Sequence, residues 1–181
     1  NEYFPLELGD YEFILVDTGV KHSLASSEYN LRRQQCDEGV KALQQINPAI
    51  KSLRDITPED LIPIKEKVNE KVYLCCEYVA EEDARVLDTC KALTNNKIEK
   101  VGELMYKSHA GLRDKYKVSG NELDLLVDTS TTIDGVIGSR MMGGGFGGCT
   151  INIVKKKQVG EFKAKMEIAY IQKYGKKPAF Y

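Results

Sequence analysis

The sequence predicts an α+β domain with a small, largely antiparallel sheet packed against helices. Three observations carry this. Strand-like segments stand at both ends of the chain, at Tyr11–Asp17 and from Val136 onward. Helical periodicity fills the middle. Segregated rather than alternating strands and helices point to α+β rather than a parallel α/β sheet. There is no internal repeat, low-complexity tract or interdomain linker, so residues 1–181 read as one domain with room for a real core.

Asn1 to Asp10 contains Pro5 and Gly9 and reads as an entering loop. Tyr11–Asp17 is the first strand, and its run Phe13-Ile14-Leu15-Val16 predicts cover on both faces. A polar connection, Thr18 to Ser27, leads to a helix expected to begin near Glu28 behind a Ser26 or Ser27 cap. Gly39 within that helix reads as a weakness of roughly 1 kcal/mol against Ala. Asn47-Pro48 ends the helix, and Thr57-Pro58-Glu59-Asp60 is a helix start. From Ile64 to Leu93 the stripe Val68, Val72, Cys75, Val79, Val86, Cys90, Leu93 predicts one long helix.

A further helix spans about Lys97 to Tyr116. Ser119-Gly120-Asn121-Glu122 has the form of a capping box and opens another, which Gly135 is expected to end as its C′ residue. Strands at Val136–Met142 and Cys149–Val154 flank Gly143-Gly144-Gly145-Phe146-Gly147-Gly148. Five glycines in six residues cost more backbone entropy than a simple turn needs. Such a loop brings bare N–H groups close to a phosphate or another chain segment, or is a flexible hairpin. A last helix covers about Val159 to Tyr174 and is stopped by Gly175; Pro178 to Tyr181 begins an edge strand.

Composition narrows the function classes. The chain is 42% hydrophobic and 29% charged with a net charge of −1, which gives no electrostatic case for nucleic acid or an anionic membrane. No apolar run approaches the ~20 residues that span a bilayer, and the start has no signal-peptide pattern. The five cysteines form no metal-ligand pattern and read as reduced thiols of a cytoplasmic protein. The chain opens on Asn1, as a processed, cloned or excised piece does.

Three stretches resemble the galactokinases. Val20 to Cys36 (VKHSLASSEYNLRRQQC) is similar to one segment typical of that family. Leu104 to Asp114 (LMYKSHAGLRD), with Ser119 and Glu122-Leu123-Asp124, is similar to a second. Gly138 to Cys149 (GSRMMGGGFGGC) resembles the third motif of the wider GHMP small-molecule kinases in its galactokinase form. The resemblance implies a C-terminal GHMP-kinase domain: four strands, five to six helices and a ferredoxin-like core with helical insertions. It also implies transfer of the γ-phosphoryl group of ATP, with Mg, to the anomeric hydroxyl of galactose. The family's ATP loop, sugar motif and catalytic aspartate have no counterpart here, so the N-terminal ATP- and sugar-binding domain is expected to be missing. A cytoplasmic, monomeric parent enzyme and an inactive isolated chain are implied in turn. A kinase for N-acetylgalactosamine, or a galactokinase-like galactose sensor, stays open.

By the same resemblance, Tyr29 matches a sugar-contacting tyrosine, and Lys21 stands where a cation faces the transferred phosphate. Gly143, Gly144, Gly145, Phe146 and Gly147 fall in the phosphate and nucleotide vicinity; no catalytic or metal-binding residue is assigned to this chain. Read from the residues alone, Tyr29 is a boundary packing residue and Lys21 a solvated lysine. His22 and His109 read as core or boundary histidines rather than acid–base catalysts, and Arg32-Arg33 as a solvated or salt-bridged pair. Glu122 reads as the capping-box acid; it and Asp124, two apart on a helix, do not face each other. Met142, where relatives often have Thr, removes a hydroxyl beside the loop.

Overall fold

A computed structural model describes residues 3–21 and 25–181; the side chains of 25–27, with His22 and any serine cap, lie outside the described residues. The elements run β1 (Tyr11–Asp17), α1 (Ala25–Gln44), α2 (Glu70–Thr94), α3 (Ile98–Asp114), α4 (Asn121–Ser130), β2 (Val136–Met141), β3 (Cys149–Lys155), α5 (Val159–Tyr174) and β4 (Ala179–Phe180). Short 3-10 helices cover Leu53–Asp55, Pro58–Ile64 and Lys156–Gln158. The strands form one sheet in the order β2-β3-β1-β4, and every pairing is antiparallel. That order is the ferredoxin-like one, with α1 to α3 inserted after the first strand.

Both faces of the sheet are covered, as the unbroken apolar run in β1 requires. Ile14, Val16 and Val154 pack on Phe162, Met166 and Tyr170 of α5 and on Leu126 of α4. On the opposite face Tyr11 and Ile153 meet Ala92 of α2 and Val101 of α3. A separate helical core joins Leu43 of α1 to Leu61, Ile64, Val72 and Cys76. Glu82 of α2 ties three elements together: it pairs with Arg85 at 2.7 Å, accepts from the Ser108 hydroxyl of α3, and faces Arg140 of β2 at 3.4 Å.

Four local expectations change. α1 begins at Ala25, so Ser26 and Ser27 fall in its first turn rather than ahead of it. The helix expected from Ile64 begins only at Glu70, because Asn69 caps it by accepting from the Val72 N–H at 3.0 Å. Gly39 is no mere weakness: a Cβ there would lie 2.2 Å from Cys76 Sγ, so its bareness is what lets α1 and α2 approach. Gly135 lies beyond the end of α4 and, at φ +83°, turns the chain into β2; the helix closes on Thr131 in ordinary helical geometry. Gly175 does hold the left-handed C′ position after α5. All five cysteines are free, with Cys36 Sγ 3.6 Å from Cys75 Sγ.

Candidate functional site: the glycine loop and its supports

The loop leaves β2 and returns as β3, and its neck is closed by the Met142 N–H donating to Cys149 O at 2.9 Å. Its two halves differ. At Gly143 and Gly144 an added Cβ would meet nothing within 4 Å, and both residues are exposed beside Met142. From Gly145 onward the loop is wedged into its own domain. A Cβ on Gly145 would lie 1.9 Å from the carbonyl oxygen of Val118, which also accepts from the Phe146 N–H at 2.9 Å. On the other side Gly147 presses on the carbonyl of Val20, and Gly148 N–H donates to it at 3.3 Å. The Gly148 carbonyl accepts from both the N–H and the hydroxyl of Thr18, at 3.0 and 2.8 Å.

The loop is therefore held between the β1–α1 connection and the α3–α4 connection. Phe146 takes φ +57°, unusual for a residue with a side chain, and packs its ring on the Tyr78, Leu112, Val118, Leu123 and Met141 cluster. That burial offsets the cost of the left-handed backbone. Lys21, exposed, directly follows Val20 and so stands at the edge of the packed half.

Beneath the loop lies a polar layer. His109 of α3 is 1% exposed, and its Nδ1 accepts from the backbone N–H of Met141 at 3.2 Å. Its Nε2 stands 3.2 Å from Asp124 Oδ1 without the alignment of a strict hydrogen bond. The same Asp124 oxygen accepts from the Ser119 hydroxyl at 2.5 Å. Burial opposes the charge of Asp124, but its contacts with His109 and Ser119 outweigh that and hold its carboxyl below the usual value. The Ser119–Glu122 capping box does not form: Gly120 is the N-cap of α4 and makes no side-chain cap, while Ser119 turns to Asp124.

Tyr29 sits elsewhere. It is 64% exposed on α1 and lines a cleft of about 820 Å³ with Arg33, Cys36, Asp83 and Tyr116, a cleft to which no residue of the glycine loop contributes. Arg32 is the salt-bridged member of its pair. It meets Glu28 at 3.2 Å and donates to the carbonyls of Tyr116 and Lys117. Through those contacts α1 is anchored next to Val118.

The arrangement presents bare, solvent-facing backbone at Gly143 and Gly144 on a rigidly seated base, which suits close approach by phosphate oxygens. Among the described residues no cluster of His, Cys, Asp and Glu side chains is placed to hold a metal ion. Sequence reasoning found the loop but missed the layer that seats it. His109, Ser119 and Asp124 all fall in the second galactokinase-like stretch, but the resemblance gave them no shared role, and the capping-box pattern pointed away from Asp124.

Comparison with known proteins gives one answer. The family described as GHMP kinases C terminal matches residues 90–172. The galactokinase of Thermotoga maritima is 42% identical over 174 residues, 96% of this chain and 47% of that protein. The galactokinase of Clostridium acetobutylicum is 39% identical over 180 residues, 99% of this chain and 46% of its own length. A crystal structure of Lactococcus lactis galactokinase complexed with galactose superposes with a TM-score of 0.89 at 34% identity, over 98% of this chain and 46% of that one. A mevalonate kinase shares the fold, with a TM-score of 0.55 at 19% identity. The chain spans about half the length of the curated relatives it matches. In sheet order, in its glycine loop and over almost its whole length, the chain is therefore similar to one half of the galactokinases, and residues 90–172 match the C-terminal GHMP-kinase family.

Proposed function

We propose that this chain is the C-terminal half of a galactokinase that transfers the γ-phosphoryl group of ATP to the anomeric hydroxyl of galactose. The observation that carries the reading is the near-complete superposition on a galactokinase structure complexed with galactose. Phosphoryl transfer depends on positioning and on charge stabilisation rather than on covalent chemistry by the protein. The solvent-facing backbone of Gly143 and Gly144 fits that work. In this reading Gly143 to Gly147 line the nucleotide phosphates, and Lys21 offers its ammonium to the transferred group. Tyr29 gives the sugar an apolar wall and a hydroxyl.

No proton-transfer role falls to this chain. The catalytic acid, the principal ATP loop and most ligands for Mg belong, in this reading, to an N-terminal domain of the parent protein, a cytoplasmic monomer. The 181-residue chain is then a single domain that does not phosphorylate sugar alone. The test is ATP·Mg-dependent phosphate transfer by the full-length protein, measured side by side on galactose, N-acetylgalactosamine and arabinose. Preferred transfer to galactose supports the reading. Preferred transfer to N-acetylgalactosamine replaces the sugar, and galactose binding without transfer replaces the kinase with a sensor.

A further inference from the structure

The polar layer under the glycine loop forms a circuit of hydrogen bonds with one link, His109 Nε2 to Asp124, that is a close charge-facing approach rather than an aligned hydrogen bond. It begins at Met141, the last residue of β2, which is fully buried and whose N–H would otherwise face the interior without a strand partner's carbonyl. The N–H is taken up by Nδ1 of His109 at 3.2 Å. A ring nitrogen that accepts carries no hydrogen, so in the neutral ring the hydrogen is on Nε2. Nε2 faces Asp124 Oδ1 at 3.2 Å, and a carboxylate is the partner that favours a hydrogen there. The Ser119 hydroxyl donates to that same oxygen and thereby fixes the carboxylate. Ser119 follows Val118, whose carbonyl takes the Phe146 N–H at 2.9 Å in the packed half of the loop. The circuit thus leaves the sheet two residues before Gly143 and returns to the loop at Phe146.

We propose that His109, held as its Nε2–H tautomer by Asp124 and Ser119, is a positioning residue for phosphoryl transfer: it sets where β2 releases the glycine loop and hence where Gly143 and Gly144 stand. At 1% exposure it touches no substrate, so it acts through the loop. A merely space-filling histidine would require neither the tautomer nor the acidic partner. A buried amide nitrogen left without its acceptor shifts to find one, and at this point any shift is passed to the loop. This inference rests on the phosphoryl-transfer reading, since it assigns the loop a task in that reaction.

The experiment uses the full-length kinase containing this chain, with His109→Leu and Asp124→Asn. Long-range ¹H–¹⁵N spectra of the wild type, with His109 assigned by its absence from H109L, are expected to show the Nε2–H tautomer; the Nδ1–H tautomer overturns the proposal. Amide hydrogen exchange at Met141 is expected to rise about tenfold or more in H109L relative to β1 amides, since its N–H loses its acceptor. In H109L, kcat/KM for ATP is expected to fall on the order of 10²-fold while KM for galactose stays within about twofold, as misplacement of a positioning element does. D124N removes the charge that favours a hydrogen on Nε2; kcat/KM for ATP is expected to fall in step with whatever share of the Nε2–H tautomer is lost, and this variant serves if H109L fails to fold. A D124N protein that loses the Nε2–H tautomer yet keeps wild-type kcat/KM for ATP overturns the proposal, as does an H109L protein that is less stable but kinetically unchanged. Should the wild type transfer no phosphate at all, the enzymatic reading fails by itself, while the tautomer and exchange measurements still decide whether His109 seats the loop.

Discussion

Asp124 keeps its charge in a half-buried place because two donors face it, and that has a consequence in acid. Its carboxyl lies below the usual value, with burial opposing and the contacts of His109 and Ser119 prevailing. A group whose folded value is depressed contributes stability above the unfolded value, about 3.9 for Asp, and that contribution is lost as pH falls through the folded value. The melting temperature of wild type should therefore exceed that of Asp124→Asn by a constant margin from neutral pH down to about pH 5. The margin should close as the pH is taken lower, and thermal unfolding at a series of pH values checks this. Gly144 gives a prediction of the opposite kind. Its surroundings are open, so Gly144→Ala should leave stability within about 0.5 kcal/mol. In the parent protein proposed above, the same methyl group should reduce phosphate transfer roughly tenfold or more if a phosphate or the opposing domain comes close to this backbone. A variant that is both stable and fully active would remove Gly144 from the site. These residue-level roles were only half legible in the sequence. Glycine content marked the loop because the need for bare backbone is written in residue type. The contact of Ser119 with Asp124 was hidden, because a hydroxyl before a helix has several acceptors within reach and only packing decides among them.

Among the elements, the crossing of α3 over β2 is the tightest. A Cβ on Gly138 would lie 2.4 Å from the Gly102 Cα, and one on Gly102 would lie 2.1 Å from the Ile137 carbonyl oxygen. Backbone meets backbone here, so no side chain can swing away to make room. Gly138→Ala should cost about 1–3 kcal/mol and lower the melting temperature by on the order of 5 °C. Gly160→Ala in α5, where nothing lies within 4 Å of the added carbon, should leave it unchanged or raise it. A Gly138→Ala protein as stable as wild type would show that the crossing is looser than drawn. The displaced helix would also move His109, which lies two turns along α3 from Gly102. Helix and strand positions themselves were readable, because apolar period and capping residues act locally: α5 runs over the residues its pattern marks, from Val159 to the glycine that stops it. The start of α2 was not, because the apolar stripe continues through Val68 although Asn69 begins the helix afterwards. Gly39 was misjudged for a related reason. Helix propensity is a property of one helix, whereas its contact with Cys76 belongs to two.

At the scale of the whole molecule, the chain completes a fold and, on the proposed reading, contributes one side of a phosphoryl-transfer site. Both faces of its sheet are covered from within, and the sheet order is that of a ferredoxin-like core. The packed half of the glycine loop spends its backbone groups on Val118, Val20 and Thr18 of its own domain, which leaves only the tip at Gly143 and Gly144 facing outward. Tyr29 lies in a cleft that the loop does not line. Among the described residues no acidic cluster is placed to hold a divalent ion. An ATP-dependent transfer needs the γ-phosphate, a metal and the accepting hydroxyl in one near-attack geometry, an advantage of as much as ~7–11 kcal/mol in the barrier. On the proposed reading the rest of that geometry comes from the N-terminal domain of the parent protein. The purified 181-residue chain should therefore give no ATP-dependent phosphorylation of galactose above background in a coupled assay, run beside the proposed full-length parent as the positive control. Circular dichroism and a cooperative thermal transition establish that the chain tested is folded. Measurable transfer by the folded chain would mean that the residues described here, with Tyr29 and the loop brought together by a movement of α1, form a working site by themselves.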